Sequence, residues 1–479
     1  MVGLVAGAFI AAAIAMKLLS HELTDDTYAF LDWGRDLRHG ILPLLENRTF
    51  HPLPILTASA LSLFGRTSPN VTILCAVAGL GLLSVGVWRI TRLLGFDQPA
   101  PLVASLLALT SPMLVAIAFA AYINLPFAAL ITWAVVWELR GRRRLVWTLL
   151  VIAGFVRPEG WGFLVAYGVL DWWRLGRPGP SRQLGILLAL SFGPMIIWSG
   201  LEWALFGSPL YSFTNTHAPG QVTAATSSLS GLWHTLVFCL AVPIILAALV
   251  GAAAVWRFSP RREGATMLAA TVLAAFTVLF LAGTKFNIPD RQMSAFVSLL
   301  CPLAAAGACA PAQWYHRLRP RRHVTAFALG VTGSLLMLGF SAGTVHHKLV
   351  FDFDVFRVQR ITGDELDHTL QRILPRLDTA GARRHVVAAT AAVDGSEVVW
   401  DLGVPYNVVY FETNDVTRLL IQPSAKTLTR LRNRHLTSGY LVSVPRGWRV
   451  VTLGTWDVWT DQPLEPVRLG GPDPTHQPA

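Results

Sequence analysis

The chain has 479 residues, is 53% hydrophobic and only 14% charged, and carries a formal net charge of +11. Soluble domains hold about 25% charged residues, so the composition excludes an ordinary soluble enzyme. The basic excess is not a nucleic-acid footprint either, because the arginines cluster between apolar runs, where the positive-inside rule expects them.

The apolar runs predict a polytopic α-helical membrane protein. The first run, about residues 2–20, has no basic leader and reads as a retained helix. A polar loop over 21–69 follows. Within it, the segment from Asp26 to His39 reads as an interfacial helix. Phe30, Trp33 and Leu37 recur at helical spacing opposite Asp32, Arg35, Asp36 and Arg38, and Gly40 would end it. HPLPILTASALSLFG, residues 51–65, is apolar but too short for a hydrocarbon core of about 30 Å. It reads as a second interfacial helix.

Spans are expected at 70–94, 99–118, 120–140, 183–206, 232–257, 265–283, 292–312 and 323–343. A broken pair is expected at 144–156 and 159–173, which brings the count to about eleven. Every second loop is rich in arginine. That pattern puts the N-terminus inside, and the 21–69 loop and everything after 343 outside. Nearly all the basic charge is arginine, with lysine only at 17, 285, 348 and 426, which points to a bacterial plasma membrane. Residues 1–343 then form a transmembrane domain. Residues 344–469 hold no membrane-length run and read as an extracytoplasmic α/β domain. Its amphipathic helix carries Leu366, Leu370, Ile373 and Leu377. A second helix is expected near 424–434. Strands are expected in RHVVAAT, SEVVWDL, NVVYFE, YLVSV and WRVVTL. The tail at 470–479, rich in Pro and Gly, is expected to be disordered. The four cysteines all lie in apolar runs and imply no disulfide framework.

Three groups of residues could carry chemistry. Asp25 and Asp26 follow the first span. They could hold a cation or deprotonate a bound hydroxyl, or they could cap the interfacial helix. Arg157, Pro158 and Glu159 interrupt an apolar stretch about 20 Å beyond the arginine-rich face, counting from residue 144 at 1.5 Å per residue. Charges at that depth need a partner or a wet cavity, and the proline frees backbone that needs the same. Lys285, Asp290 and Arg291 share a short outer loop, where a guanidinium suits a lipid headgroup or a lipid-linked phosphate. His21, His39 and His51 share a loop with the acids, but their spacing matches no compact metal motif. No Walker A motif or dinucleotide fingerprint appears.

The order of these features resembles the polytopic glycosyltransferases of the GT-C type, which take sugars from polyprenyl-phosphate carriers. TDDTYAFLDWGRDLRHG resembles the family's acidic pair after the first span. HPLPILTASALSLFG, WRITRLLG and LALTSPMLV follow in order. RPEGWGFLVAYG resembles its RPEG turn, and DRQMSAFVSLLCPLAAAGA its late Arg-led span. The match runs over roughly residues 1–312. The resemblance implies that Asp25 or Asp26 is the catalytic base and that Arg291, with Lys285 as a second candidate, holds the donor phosphate. It implies that Arg157 and Glu159 line the cavity, with Tyr122, Asn124 and His51 as further candidates for its wall. It also implies an inverting transfer of sugar to an envelope glycan, lipid or protein. Many members carry a second acid where this chain has Asn124, which weakens a metal site and leaves a divalent cation open. A transporter or lipid flippase, and a non-catalytic scaffold, stay open as other classes.

Overall fold

The computed structural model describes residues 25–41, 50–215, 239–283 and 290–318, most of 325–340, isolated positions at 233–237, and five short strands beyond residue 386. The expected first span, the helices at 364–378 and near 424–434, the strands SEVVWDL and YLVSV, and the tail all lie outside the described residues.

Helix α1 runs Asp25–Arg38 and α2 runs Pro52–Leu61. Gly40, at φ 75°, ends α1 as expected. The two helices touch at Gly34, where a side chain would run into the backbone of Ala58 and Ser59. The polar face of α1 is only partly open: Asp32 is 0% exposed, while Arg38 one turn and a half later is exposed. Asp32 enters the protein with its own counter-ion, Arg35, at 3.0 Å, which offsets much of the cost of burying a carboxylate.

The next helices are α3 (Ser68–Leu93), α4 (Ala100–Thr110) and α5 (Pro112–Phe119). The last two form one expected span bent by 52°. Ser111 takes an extended conformation there, as a residue before proline must. Helices α6 (Asn124–Leu139), α7 (Arg143–Val156), α8 (Glu159–Arg174), α9 (Arg182–Phe206) and α10 (Tyr211–Asn215) follow. Beyond them lie α11 (Val242–Phe258), α12 (Arg261–Gly283), α13 (Ser294–Leu318) and α14 (Ala328–Phe340). Among the described residues four helices are long and apolar enough to cross a membrane, or five with the bent pair. The protein is a helical membrane protein.

Helix α13 is the centre of the bundle. Its most apolar window is 83% buried, against 22% for α9 and 28% for α12, which face outward. Close approach needs small residues where helices cross. Gly251 on α11 lies against the Leu303 carbonyl, and Gly307 on α13 lies against the Ala247 carbonyl, so each glycine admits the other helix's backbone. Gly307→Ala should therefore destabilise the detergent-solubilised protein by about 1–3 kcal/mol, the usual cost of overpacking. Gly79→Ala is the control, because its added carbon would meet only Leu125 at 3.9 Å. Thermal unfolding of both variants checks this.

Two compact units divide the chain: residues 1–35 with 45–354, and residues 36–44 with 355–479. The second unit contains a five-stranded mixed sheet in the order β2-β1-β3-β5-β4. The strands are β1 (Val387–Ala389), β2 (Val409–Phe411), β3 (Leu419–Pro423), β4 (Arg449–Leu453) and β5 (Trp456–Thr460). β1 pairs in parallel with β2 and β3, while β5 pairs antiparallel with β3 and β4. Strands β1, β2 and β4 fall in expected segments; β3 and β5 were not expected. β5 had a readable signal, since WDVWT alternates and follows β4 after only Gly454 and Thr455.

Candidate active site

The bundle has two polar ends. One gathers the turns at 62–68, 120–124, 156–159, 207–212 and 290–293. The other gathers the arginine-rich turns. There Ser259 donates to the Leu94 carbonyl at 2.7 Å, Arg174 bonds Glu138 at 2.6 Å, and Arg317 donates to the Phe258 carbonyl at 3.4 Å. The sorting of arginines read from the sequence is thus a spatial clustering.

The first polar end is built from α1. Asp25 and Asp26 form the backbone of its first turn, where a helix favours negative charge. The side chains of Asp25, Asp26 and Asp290, and all of Lys285 and His21, lie outside the described residues. The next residue, Thr27, is 4% exposed and donates its hydroxyl to the Ala120 carbonyl at 2.9 Å. Ala120 opens a tight turn in which Ala121 takes φ 52°, a conformation that costs a non-glycine residue of order 1 kcal/mol. The turn presents Tyr122 to Arg291, whose guanidinium carbon stands 4.4 Å from the ring centroid. Asn124, 2% exposed, donates its side-chain amide to the Arg291 carbonyl at 3.0 Å. Ser294 in turn donates to the Asn124 carbonyl at 3.2 Å. Arg291 is therefore held at its guanidinium by the Tyr122 ring and at its backbone by Asn124. One turn, 120–124, meets both the start of α1 and Arg291.

The second part is the helix break. Trp147, near the start of α7, donates to Asp171, near the end of α8, at 3.0 Å. The two helices therefore run antiparallel, as a hairpin with its tip at Arg157 and Pro158. Each residue of the tip has a role. Arg157 is extended (φ −149°, ψ 142°), as the following proline requires. Pro158 sets the turn into α8, and Glu159 stands in the first turn of that helix. A side-chain carbon at Gly160 would lie 2.7 Å from backbone atoms of Ala153 and Gly154, so only glycine lets the hairpin close there. Arg157 grips Glu159 through both carboxylate oxygens, at 3.1 and 2.6 Å. The guanidinium and carboxylate are 11% and 8% exposed. This ion pair fixes the tip.

His51 joins the two parts. Its Nδ1 lies 3.0 Å from the Val156 carbonyl, which can only accept, so that nitrogen carries the proton. Its ring meets Phe30 of α1 edge-on at 5.6 Å and Trp198 of α9 at 5.6 Å. Sequence reasoning passed over the group that holds it. Glu202, 2% exposed, accepts from Trp198 at 2.9 Å and from the Ser212 amide at 3.3 Å. The Ser212 hydroxyl accepts from the Phe50 amide at 2.7 Å. A single glutamate within an apolar run was the available signal. The segment 216–231 lies outside the described residues. Among the described residues no three His, Cys, Asp or Glu side chains gather as metal ligands.

The amide of Asn124 acts as a donor. Asn124→Asp should therefore weaken the hold on Arg291 as much as Asn124→Ala does. If Arg291 has the donor-phosphate role that the resemblance implies, both should raise the KM for that donor about 3–10-fold, the value of one hydrogen bond near 1 kcal/mol. If Asn124→Asp instead raises activity and makes it dependent on a divalent cation, position 124 is a ligand position and not a clamp.

No protein-family model matches the sequence, and no curated protein matches it. Solved structures do. ArnT from Cupriavidus metallidurans, in crystals bound to undecaprenyl phosphate, has a TM-score of 0.58 at 13% identity, covering 98% of this chain and 99% of that one. The same protein in the apo state has a TM-score of 0.57 at 14% identity, covering 94% of this chain and 96% of that one. The chain thus shares the fold of these structures over nearly its whole length, in keeping with the resemblance carried by its ordered motifs.

Proposed function

We propose that the protein is a membrane glycosyltransferase that moves a sugar from a polyprenyl-phosphate donor to an envelope glycan, lipid or protein on the outer face of a bacterial plasma membrane. One observation carries the reading. The 120–124 turn takes the Thr27 hydroxyl on one side and carries the Arg291 guanidinium on the other, in a fold shared with a protein crystallised with undecaprenyl phosphate. An acidic helix start beside a cation suits a reaction that needs a base and an anion holder.

In this reading Asp25 or Asp26 takes the proton of the acceptor hydroxyl. The hydroxyl oxygen bonds to the anomeric carbon from the face opposite the phosphate, and the anomeric carbon–oxygen bond breaks. The bonding pair leaves with the polyprenyl phosphate, so the anomeric centre inverts. Charge builds on the phosphate as it departs, and Arg291, with Lys285, stabilises it. Arg157 and Glu159 shape the cavity, and His51 packs the tip of the hairpin against α1. About eleven spans, and an outer C-terminal domain over 344–469 that helps bind the acceptor, complete the proposal.

Purified protein, a sugar-loaded polyprenyl phosphate and extracted envelope acceptors should together release free polyprenyl phosphate. Movement of the intact donor between leaflets, with no release from any donor offered, would replace the transferase with a flippase.

A further inference from the structure

The arginine-rich end of the bundle holds a second buried polar cluster, which the proposed transfer does not use. Its centre is two carboxylates, Glu138 at the end of α6 and Asp171 at the end of α8, each 5% exposed. Tyr167 donates to Glu138 at 2.8 Å and Trp147 donates to Asp171 at 3.0 Å. Arg174 lies between them, 2.6 Å from Glu138 and 4.0 Å from Asp171.

Two further guanidiniums stand at the mouth. Arg143 is 3.7 Å from Asp171 and Arg262 is 3.8 Å from Glu138, and their side chains are 44% and 60% exposed. Both distances are long for a hydrogen bond, so these groups feel the carboxylates without hydrogen-bonding them. Three guanidiniums and two carboxylates leave the cluster with one positive charge. Around it, Arg140, Arg142, Arg144, Arg257 and Arg261 are all exposed, and none has a carboxylate within 4 Å among the described residues. Trp172 and Trp173, exposed beside Arg174, are the aromatic residues favoured at the headgroup level of a bilayer.

We infer that Arg143 and Arg262 form a binding site for the phosphate of an anionic membrane phospholipid in the leaflet at this end of the bundle. A phosphodiester brings the single negative charge that neutralises the cluster. Its oxygens suit the guanidinium forks, and its acyl chains belong beside the apolar faces of α7 and α12. The site would tie α6, α7, α8 and α12 together through one lipid. The inference stands apart from the proposed transfer reaction.

The test uses the full-length protein, delipidated in a neutral detergent and then given phosphatidylglycerol, phosphatidylcholine or inorganic phosphate. Thermal unfolding should shift upward with phosphatidylglycerol and far less with phosphatidylcholine or inorganic phosphate. Arg143→Gln with Arg262→Gln should remove at least half of that shift. Arg177→Gln with Arg182→Gln, an equal loss of charge at the same end, should keep it. Equal shifts from both lipids, an equal shift from inorganic phosphate, or equal losses in the two double variants would each overturn the site. If the first double variant does not fold, native mass spectrometry of the unaltered protein decides. Retained phosphatidylglycerol in preference to phosphatidylcholine supports the site, and no preference overturns it.

Discussion

Asp25→Asn together with Asp26→Asn should lower the rate of sugar transfer by about 10²–10⁴-fold, the range a positioned general base supplies, while donor binding persists. Magnitudes separate this from a helix-capping role. Both acids lie in the first turn of α1, and an acid there stabilises a helix by about 0.3–1 kcal/mol. Loss of the base is worth about 2.7–5.4 kcal/mol of barrier at 1.36 kcal/mol per decade. The isosteric amides keep the shape of the turn, and Thr27, buried and bonded to Ala120, keeps the start of α1 in place. A capping role therefore predicts a small fall in melting temperature with transfer intact. A base predicts near-normal melting with transfer almost gone. The single variants should divide unequally, because only one carboxylate can face the acceptor hydroxyl. Transfer kinetics and thermal unfolding on the same preparations decide between the two.

The second large effect is expected at Arg291. Arg291→Ala should cost about 10²–10³-fold in kcat/KM, as loss of one oxyanion-stabilising group does. Arg291→Lys should recover part of this, since the charge returns without the planar fork. Tyr122→Leu tests the support apart from the cation. The ring lies 4.4 Å from the guanidinium carbon, and such a contact is worth about 0.5–2 kcal/mol. That corresponds to about 2–30-fold, at 1.36 kcal/mol per decade, and is smaller than loss of the arginine itself. The loss at Tyr122 should appear mainly in the KM for the donor, because the phosphate holder remains but is less well aimed. If Arg291→Ala transfers sugar at the native rate, Arg291 anchors the helix end in the bilayer and nothing more.

The sequence made some of this readable and hid the rest for physical reasons. The hairpin tip was legible because a proline between two charges, some 20 Å into an apolar stretch, has few alternatives. The arginine clusters were legible because the membrane sorts them by side. Gly40 ending α1 was legible because that position needs a left-handed backbone. The burial of Asp32 on α1 was not legible. A period of 3.6 tells which residues share a face but not what covers it, and here Asp32 on the polar face is covered too, with Arg35 compensating it. The contacts that assemble the site were also hidden. Thr27 meets Ala120 across 93 residues, Asn124 meets Arg291 across 167, and Phe50 meets Ser212 across 162. No local pattern encodes a pairing of that separation. Glu138, Asp171 and Glu202 were passed over because each is a lone carboxylate in or beside an apolar run, and each has a partner on another helix that no local pattern shows.

The central claim is that the acidic start of α1 and the Arg291 guanidinium serve one lipid-linked donor. A structure of the protein with bound polyprenyl phosphate tests it most directly. The account predicts the phosphate within hydrogen-bond reach of Arg291, beside Tyr122, with the carboxylates of Asp25 and Asp26 facing the same space. A phosphate seated elsewhere, with Arg291 turned to the lipid or the two acids on the far side of α1, would contradict it.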